Sequence, residues 1–279
     1  MNKIKPMKAH KYRADRVIKP GYVQPKLNGL RAIWNGECLN TYNMEVWKPG
    51  ILDHISNAIR EFEVIMDEGS LYLDGEIYVH GKSLQWINSR ASVNRVTPHA
   101  QEHLIEFHVF DIANKYKFVN RKTQLSIFKD HLPHNCPIKF VDTYYNDGSD
   151  DMFFRLFRKE GYEGMIYRAP NEPYGFLEDC RNKENRWWKI MKRKYWEDMD
   201  AVILSCNEGK GDMQGMLGAF TCRGENGVTF NVGSGEALTH ASRDRFWRQQ
   251  PVGLTCKIKY EMLSDSGVPL KPILEAVYE

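Results

Sequence analysis

Hydrophobic positions along the first two-thirds of the chain alternate between the spacing of strands and that of helices. Apolar residues three and four apart predict helices around 51–62, 125–132 and 152–157. Strand-like runs occupy 21–34, 37–42, 71–79, 105–112, 164–168 and 187–191. The Asn35-Gly36 dipeptide between the first two runs is typical of a type I′ hairpin turn. The pattern favours an α+β domain in which helices flank antiparallel sheets.

The pattern changes after about Asp198, where short strands replace the mixed arrangement. One helix is predicted at 238–249, between the third and fourth strands of this region. The strands are predicted at 201–205, 217–223, 228–232, 254–260 and 273–278. Five strands with a helix in that place are typical of an OB-fold β-barrel. We therefore expect two domains, 1–196 and 197–279.

Composition narrows the class of protein only modestly. The chain has 279 residues, a formal net charge of +3 and six cysteines, none in a Cys-x-x-Cys pair. This spacing argues against a zinc site or a disulfide framework and favours a reduced, cytoplasmic setting. No apolar run is long enough to span a bilayer, and the start lacks a signal-peptide core. We expect a monomer in the cytoplasm.

Basic residues cluster in two stretches, 3–19 and 181–194, and the second is interleaved with Trp187 and Trp188. Basic patches with aromatic residues are typical of nucleic-acid surfaces, although a solvated face has the same composition. The first stretch has few apolar residues, so we expect it to lie outside the core. It is either an arm that binds phosphates or a solvated tail.

The run Lys26-Leu27-Asn28-Gly29-Leu30-Arg31 places an amine and a guanidinium close together around a tight turn. Such a pair suits nucleophilic attack on a phosphate. Lys192 and Lys194 lie two apart on a predicted strand, so they share a face on which an anion would relieve their repulsion.

Carboxylates recur at strand positions, where acidic residues are disfavoured. Glu76 lies in an Asp-Gly-Glu triplet within 71–79, and Glu163 precedes the strand 164–168. Two carboxylates directed at a phosphate site predict bound Mg²⁺. Phe107 and Phe110 belong to an apolar strand, and one aromatic ring there could stack on a base.

Taken in order, these motifs resemble those of the covalent nucleotidyltransferase superfamily, especially the small ATP-dependent DNA ligases of viruses and phages. The first motif of that family is Lys-x-Asp-Gly-x-Arg, and 26–31 matches it with Asn28 in place of Asp. The triplet 74–76, the stretch 107–111, Glu163-Gly164 and the lysine pair 192/194 are similar to the motifs that follow. The resemblance covers nearly the whole chain.

The resemblance implies an enzyme that uses ATP and Mg²⁺ to seal nicks in duplex DNA, joining a 3′-hydroxyl to a 5′-phosphate through lysyl-AMP and DNA-adenylate. Lys26 would be the nucleophile and Lys192 and Lys194 its catalytic partners. The implied nucleotide-binding residues are Gln24, Arg31, Glu76, Phe110, Glu163, Lys192 and Lys194, and Glu76 and Glu163 would also bind the metal. Phe110 would pack on adenine, which Gln24 would read.

Several positions depart from that family's pattern, and other functions stay open. Gln24 replaces a frequent Glu, and Thr41-Tyr42-Asn43 stands where Ser-Arg is usual. Near the end of the chain, only Lys271 stands where an arginine is usual. An RNA ligase acting on RNA or RNA–DNA hybrid strands and a capping guanylyltransferase would share most of these motifs. A catalytically inactive nucleic-acid-binding module is the alternative from a different class.

Overall fold

The computed structural model describes residues 6–16, 18–67, 69–175 and 189–278. It divides into two units, Met1–Lys194 and Tyr195–Glu279, whereas the sequence placed the boundary between 196 and 197. Among the described residues, no helix is long and apolar enough to cross a membrane.

The first unit contains two five-stranded sheets and four helices among the described residues. The elements are β1 His10–Lys11, β2 Gly21–Lys26, β3 Leu30–Trp34, β4 Leu39–Thr41, α1 Asp53–Ile65, β5 Leu73–Tyr78, α2 Leu84–Ala91, β6 Glu106–Ile112, α3 Phe118–Asp130, β7 Ile138–Phe140, β8 Tyr144–Asn146, α4 Asp150–Lys159, β9 Gly164–Arg168 and β10 Ile190–Lys194. The strands of the two sheets follow the orders β1-β10-β9-β2-β8 and β4-β3-β5-β6-β7. Pairing is antiparallel except for the parallel pairs β1–β10 and β6–β7.

Helices cover these sheets at the three predicted helical stretches, although Met152 and Leu156 of the third stretch are exposed. Helix α1 buries Ile55, Ile59 and Phe62 in the core of the second sheet. Helix α4 buries Phe153 and Phe157 in a cluster with side chains of the first sheet. Burying each such side chain stabilises the fold by roughly 1.5–3 kcal/mol. The predicted α+β class is confirmed.

The run 21–34, predicted as one strand, is two strands in different sheets, so that prediction is wrong. The chain leaves the first sheet after Lys26 and enters the second at Leu30. A Cβ on Gly29 would lie 2.2 Å from the carbonyl oxygen of Ile77, so only glycine lets the crossing pass so close to β5. The predicted type I′ turn is also wrong, because Gly36 has positive φ but Asn35 does not.

The second unit is the predicted five-stranded arrangement with a helix before the fourth strand. The elements are β11 Glu197–Glu208, β12 Leu217–Gly224, β13 Thr229–Val232, α5 His240–Gln249, β14 Thr255–Tyr260, β15 Met262–Leu263, β16 Pro269–Leu270 and β17 Ile273–Val277. The main sheet has the order β13-β12-β11-β14-β17. A short hairpin, β15–β16, was missed because two-residue strands show no periodicity.

The basic N-terminal stretch belongs in part to the first sheet, contrary to the expectation that it lies outside the core. Met7 is 3% exposed. Strand β1 pairs with β10, with His10 opposite Met191. Lys3, Lys5 and the basic and aromatic residues at 181–188, including Trp187 and Trp188, lie outside the described residues.

Candidate active site

A cavity of about 330 Å³ opens on the first unit, and both of its sheets line it. The first sheet contributes polar side chains from β2, β9 and β10, and the second contributes Arg31, Glu76 and Phe110. The N-terminal segment and the loop after β4 complete the wall. The lining residues are Met7, Lys8, Ala9, Gln24, Pro25, Lys26, Leu27, Arg31, Tyr42, Glu76, Phe110, Ile166, Arg168, Ile190 and Lys192.

Glu163 contacts both Lys26, which lines the cavity, and Lys194. Its Oε2 contacts the Nζ of Lys26, and its Oε1 lies 2.6 Å from the Nζ of Lys194. The side chain of Glu163 is 6% exposed and that of Lys26 is 19% exposed. Both lysine ammonium groups therefore lie against one largely buried carboxylate, which attenuates their mutual repulsion.

Strand register produces this arrangement. Gly164 lies opposite Lys26 on β2 and opposite Lys194 on β10, so the preceding residue, Glu163, can reach both. A Cβ on Gly164 would lie 2.1 Å from the carbonyl oxygen of Arg193, which makes glycine necessary for so close a strand approach. The sequence predicted that Glu163 and both lysines belong to one site, and the structure brings these three residues together.

Lys192, the other member of the predicted lysine pair, lines the cavity itself. It lies opposite Ile166 in the pairing of β10 with β9, and Ile166 also lines the cavity. Side chains two apart on a strand point to the same face. Lys192 and Lys194 accordingly share one face of β10, where Lys192 lines the cavity and Lys194 contacts Glu163.

Glu76 connects the turn after Lys26 to strand β5. Its Oε1 accepts a hydrogen bond of 3.0 Å from the backbone N–H of Gly29. Burial raises the pKa of Glu76 above its ordinary value, although the charges of Lys26 and Arg31 and the Gly29 N–H oppose that rise. The side chain thus fixes the turn and lines the cavity close to Lys26.

Arg31 is held by a bidentate ion pair with Asp74. Its Nε and Nη2 lie 2.6 and 2.5 Å from the two carboxylate oxygens of Asp74. The Tyr174 hydroxyl donates to the same carboxylate at 2.6 Å, and Asp74 is fully buried. The guanidinium therefore has a fixed orientation, with its Cζ 4.7 Å from the centre of the Phe110 ring.

The structure separates the two phenylalanines that the sequence could not. Phe107 is fully buried in the core of the second sheet. Phe110 lines the cavity, where Arg31 lies over its ring and the Cζ of Arg168 lies 5.6 Å from the ring centre. Of the residues that the structure describes, Phe110 and Tyr42 are therefore the two aromatic ones whose side chains line the cavity, and Phe110 is the one that belongs to the second sheet.

Gln24 lies at the buried end of the cavity and is 1% exposed. Its Nε2 donates to the Phe110 carbonyl at 3.0 Å and to the Thr143 hydroxyl at 2.9 Å, and its Oε1 accepts from Arg168 at 3.0 Å. Both amide hydrogens are thus used within the protein. The interpretation of Gln24 as an adenine reader stays a prediction, and the structure adds that this side chain positions the Phe110 backbone.

Sequence reasoning missed the buried ion network behind Phe110. Arg168 and Arg121 both contact the carboxylate of Asp111, at 2.8 and 2.6 Å. All three side chains are almost fully buried. Arg168 ends the stretch 163–168 and lies two residues from the cavity-lining Ile166, which was a signal that its side chain shares the same face. The N-terminal wall, residues 7–9, gave no such signal.

Glu76 lines the cavity and Glu163 contacts Lys26 beside it, and their carboxylate oxygens are ligands that Mg²⁺ prefers. The second oxygen of Glu76, Oε2, has no hydrogen-bond partner in the described part of the chain, whereas both oxygens of Glu163 contact lysines. Within the described ranges, no cluster of three or more His, Cys, Asp or Glu side chains could form an all-protein metal site. Proteins usually bind Mg²⁺ through one or two carboxylates, together with phosphates of the substrate.

Comparisons with known proteins agree with these observations. Residues 208–277 match the family described as the DNA ligase OB-like domain. The DNA ligase of African swine fever virus (strain Badajoz 1971 Vero-adapted) is 29% identical over 272 residues, covering 89% of this chain and 61% of the viral protein. The DNA ligase of Haemophilus influenzae is 23% identical over 267 residues, covering 94% of this chain and 88% of that protein.

Solved structures share the fold. A structure of a Lig E DNA ligase superposes with a TM-score of 0.76 at 22% identity and covers 98% of each chain. The ATP-dependent DNA ligase of bacteriophage T7, in complex with ATP, gives a TM-score of 0.54 at 14% identity. The predicted fold and the predicted resemblance to DNA ligases are confirmed. The chain spans about three-fifths of the length of its African swine fever virus relative.

Proposed function

We propose that this protein is an ATP-dependent DNA ligase that seals nicks in duplex DNA. The observation that carries the proposal is the contact of one carboxylate, Glu163, with both Lys26 and Lys194 beside a cavity walled by Phe110. A nucleophilic amine, cations for phosphates and an aromatic surface for a base are the groups needed to transfer AMP. The similarity to viral and bacterial DNA ligases supports DNA as the substrate.

In the first step, the Nζ of Lys26 attacks the α-phosphorus of ATP. A nitrogen–phosphorus bond forms, the bond from that phosphorus to the bridging oxygen breaks, and pyrophosphate leaves. The attacking amine must lose a proton, and Glu163 is the carboxylate in contact with it that can accept one. Lys192 and Lys194 offset the negative charge that grows on the phosphoryl oxygens.

In the later steps, an oxygen of the 5′-phosphate at the nick attacks the phosphorus of lysyl-AMP. An oxygen–phosphorus bond forms, the nitrogen–phosphorus bond breaks, and Lys26 leaves as the amine while AMP remains on the 5′-phosphate. The adjacent 3′-hydroxyl then attacks the phosphorus of that 5′-phosphate, AMP leaves, and a phosphodiester bond joins the strands. Arg31 is suited to a phosphate of this site, because Asp74 holds its Nε and Nη2 while its Nη1 has no hydrogen-bond partner among the described residues. A fixed guanidinium binds a phosphate with little loss of side-chain entropy.

Glu76 and Glu163 are the residues that would hold Mg²⁺, which when bound supplies positive charge beside the reacting phosphates. Phe110 would stack on the adenine ring, at a gain of about 1–3 kcal/mol for one base. Gln24 and Arg168 fix the backbone that carries this ring. ATP binding is thus assigned to the first unit, and the second unit, with its OB-like domain, is assigned to DNA.

The test is covalent labelling followed by a sealing assay. The protein is incubated with ATP or GTP labelled at the α-phosphate and is then run on a denaturing gel. We expect label from ATP, its transfer to a nicked DNA duplex, and a sealed strand. Label from GTP alone would indicate a capping guanylyltransferase, and no label would indicate an inactive binding module. Faster sealing of a nick with RNA strands than of a matched DNA nick would indicate an RNA ligase.

A further inference from the structure

We propose that Lys8 binds the outer phosphates of the nucleotide in the cavity and so assists the first step of the reaction. The proposal rests on the proposed function in taking ATP as the ligand. It concerns a residue in the basic N-terminal stretch, which the sequence assigned to DNA or to solvent.

The backbone on both sides of Lys8 is fixed to the first unit. Met7 is 3% exposed and packs in a small cluster with Ala113, Tyr174 and Ile190. The carbonyl oxygen of Met7 accepts a hydrogen bond from the Nη2 of Arg31 at 3.3 Å. On the other side, β1 begins at His10 and pairs with β10. Lys8 is therefore held at the wall of the cavity and is not part of a free arm.

The side chain of Lys8 lies at the open side of that wall. Lys8 is exposed and lines the cavity, and its Nζ lies 5.7 Å from the centre of the Tyr42 ring. Tyr42 lines the same cavity, so its ring favours a position of the ammonium group beside that cavity. This contact restricts the lysine without neutralising it.

Lys8 differs in its carboxylate contacts from three cations deeper in the site. Glu163 contacts Lys26 and Lys194, and Asp74 contacts Arg31. Within the described ranges, Lys8 has no carboxylate partner. An ammonium group at the rim of a cavity, without a carboxylate of its own, favours an anionic ligand.

The burial of the groups that line the cavity points to the anion. Gln24 and Arg168 are almost fully buried beside Phe110, which places a base at that end. Lys26 marks the α-phosphate, so the exposed Lys8 is suited to the phosphates beyond it. The 5′-phosphate of a nick has the same chemistry, and the experiment must separate these two sources.

The experiment compares Lys8→Ala with Lys11→Ala in the full chain. Lys11 is an exposed lysine of β1 that does not line the cavity, which makes it a matched control. Binding of AMP and of an ATP analogue with a methylene group between the α- and β-phosphates is measured by calorimetry. Lys8→Ala should weaken binding of the analogue roughly tenfold, the effect of one hydrogen bond to a charged group, and leave AMP binding within about twofold. Lys8→Arg should keep most of the affinity.

A second measurement follows AMP transfer from isolated enzyme–AMP to nicked DNA, which should be unchanged in Lys8→Ala. If Lys8→Ala slowed this transfer as much as it weakened analogue binding, Lys8 would contact the phosphate of the nick. If it weakened binding of AMP and of the analogue equally, Lys8 would contact the adenosine part of the nucleotide. Either result, or unchanged analogue binding, overturns the proposal. If the wild-type protein formed no covalent AMP adduct, the ligase function would be refuted. If it nevertheless bound the analogue more tightly than Lys8→Ala does, the contact of Lys8 with the phosphates would still be supported.

Discussion

Glu163 holds Lys194 with the carboxylate oxygen that Lys26 does not use, at a distance of 2.6 Å from Oε1 to Nζ. The two oxygens of one buried side chain thus fix the spacing of two ammonium groups from distant parts of the chain. Removing the negative charge would leave these ammonium groups to repel each other. It would also remove the carboxylate that can take the proton of Lys26.

We expect Glu163→Gln to slow formation of lysyl-AMP roughly a hundredfold or more, because the amide keeps the shape of the side chain but neither its charge nor its basicity. The rate is measured by single-turnover labelling with ATP. Glu160→Gln is the control, since Glu160 is an exposed neighbour outside the cavity. A rate close to that of the control would remove Glu163 from the proposed site.

We expect Lys26→Ala to abolish the covalent AMP adduct while still sealing a nick that already carries AMP on its 5′-phosphate, because the later steps do not use the free amine. Peptide mass spectrometry and a sealing assay measure the two effects. Lys48→Ala, which removes an exposed lysine outside the cavity, should behave as wild type. AMP found on Lys192 or Lys194 of the wild-type protein would contradict the assignment of the nucleophile.

We expect the substitution of Phe110 to weaken nucleotide binding and that of Phe107 to lower the stability of the fold. Phe110→Ala should weaken binding of the ATP analogue by about 1–3 kcal/mol, the loss of one stacked base, with little change in stability. Phe107→Ala should destabilise the fold by about 3–5 kcal/mol, because that side chain is fully buried. Calorimetry measures the affinity for the analogue, and urea denaturation measures the free energy of unfolding. Normal analogue affinity in Phe110→Ala would show that the base lies elsewhere.

We expect Asp74→Asn to destabilise the protein by about 3–5 kcal/mol, because it leaves the guanidinium of Arg31 without its carboxylate. Tyr174→Phe removes the hydroxyl donor to Asp74 and keeps the ion pair, so it should cost only about 1 kcal/mol. Urea denaturation of both variants measures the difference. Equal small losses would show that the ion pair does not hold this part of the fold.

We expect Glu76 to make stability depend on pH above 4.5, its ordinary pKa, because burial raises the pKa of this carboxyl in the folded state. The folded state then binds the proton more tightly than the unfolded state does. The free energy of unfolding of the wild type, minus that of Glu76→Gln, should therefore fall as pH rises from 4.5 through the raised pKa, and level off above it.

Asp151 is the control of opposite sign for this measurement. A hydrogen bond from Arg193 lowers the pKa of Asp151 below its ordinary 3.8. The free energy of unfolding of the wild type, minus that of Asp151→Asn, measures the stabilisation by this carboxylate. That stabilisation should be fully present above pH 3.8 and be lost as pH falls through the lowered pKa. Urea denaturation across pH measures both series. A Glu76 series that rises with pH would show that the ionised carboxyl is the form that the fold favours.

The sequence alone determined the parts of this protein that depend on local periodicity. The period of two on a strand placed Lys192 and Lys194 on one face, and helical spacing identified the buried face of α1. The motif around Lys26 indicated phosphate chemistry because it places an amine and a guanidinium around a tight turn. The motifs around Glu76 and Glu163 did so because acidic residues are disfavoured at strand positions.

Only the tertiary structure decided which of these residues meet. Lys26 and Glu163 are 137 positions apart, and their contact depends on Gly164 lying opposite both Lys26 and Lys194. The crossing at Gly29 divided one predicted strand between two sheets and so opened the cavity between Lys26 and Arg31. The N-terminal wall around Lys8 is set by the pairing of β1 with β10. Such pairings are long-range, and alternation along a strand fixes the face of a side chain but not its neighbour on the next strand.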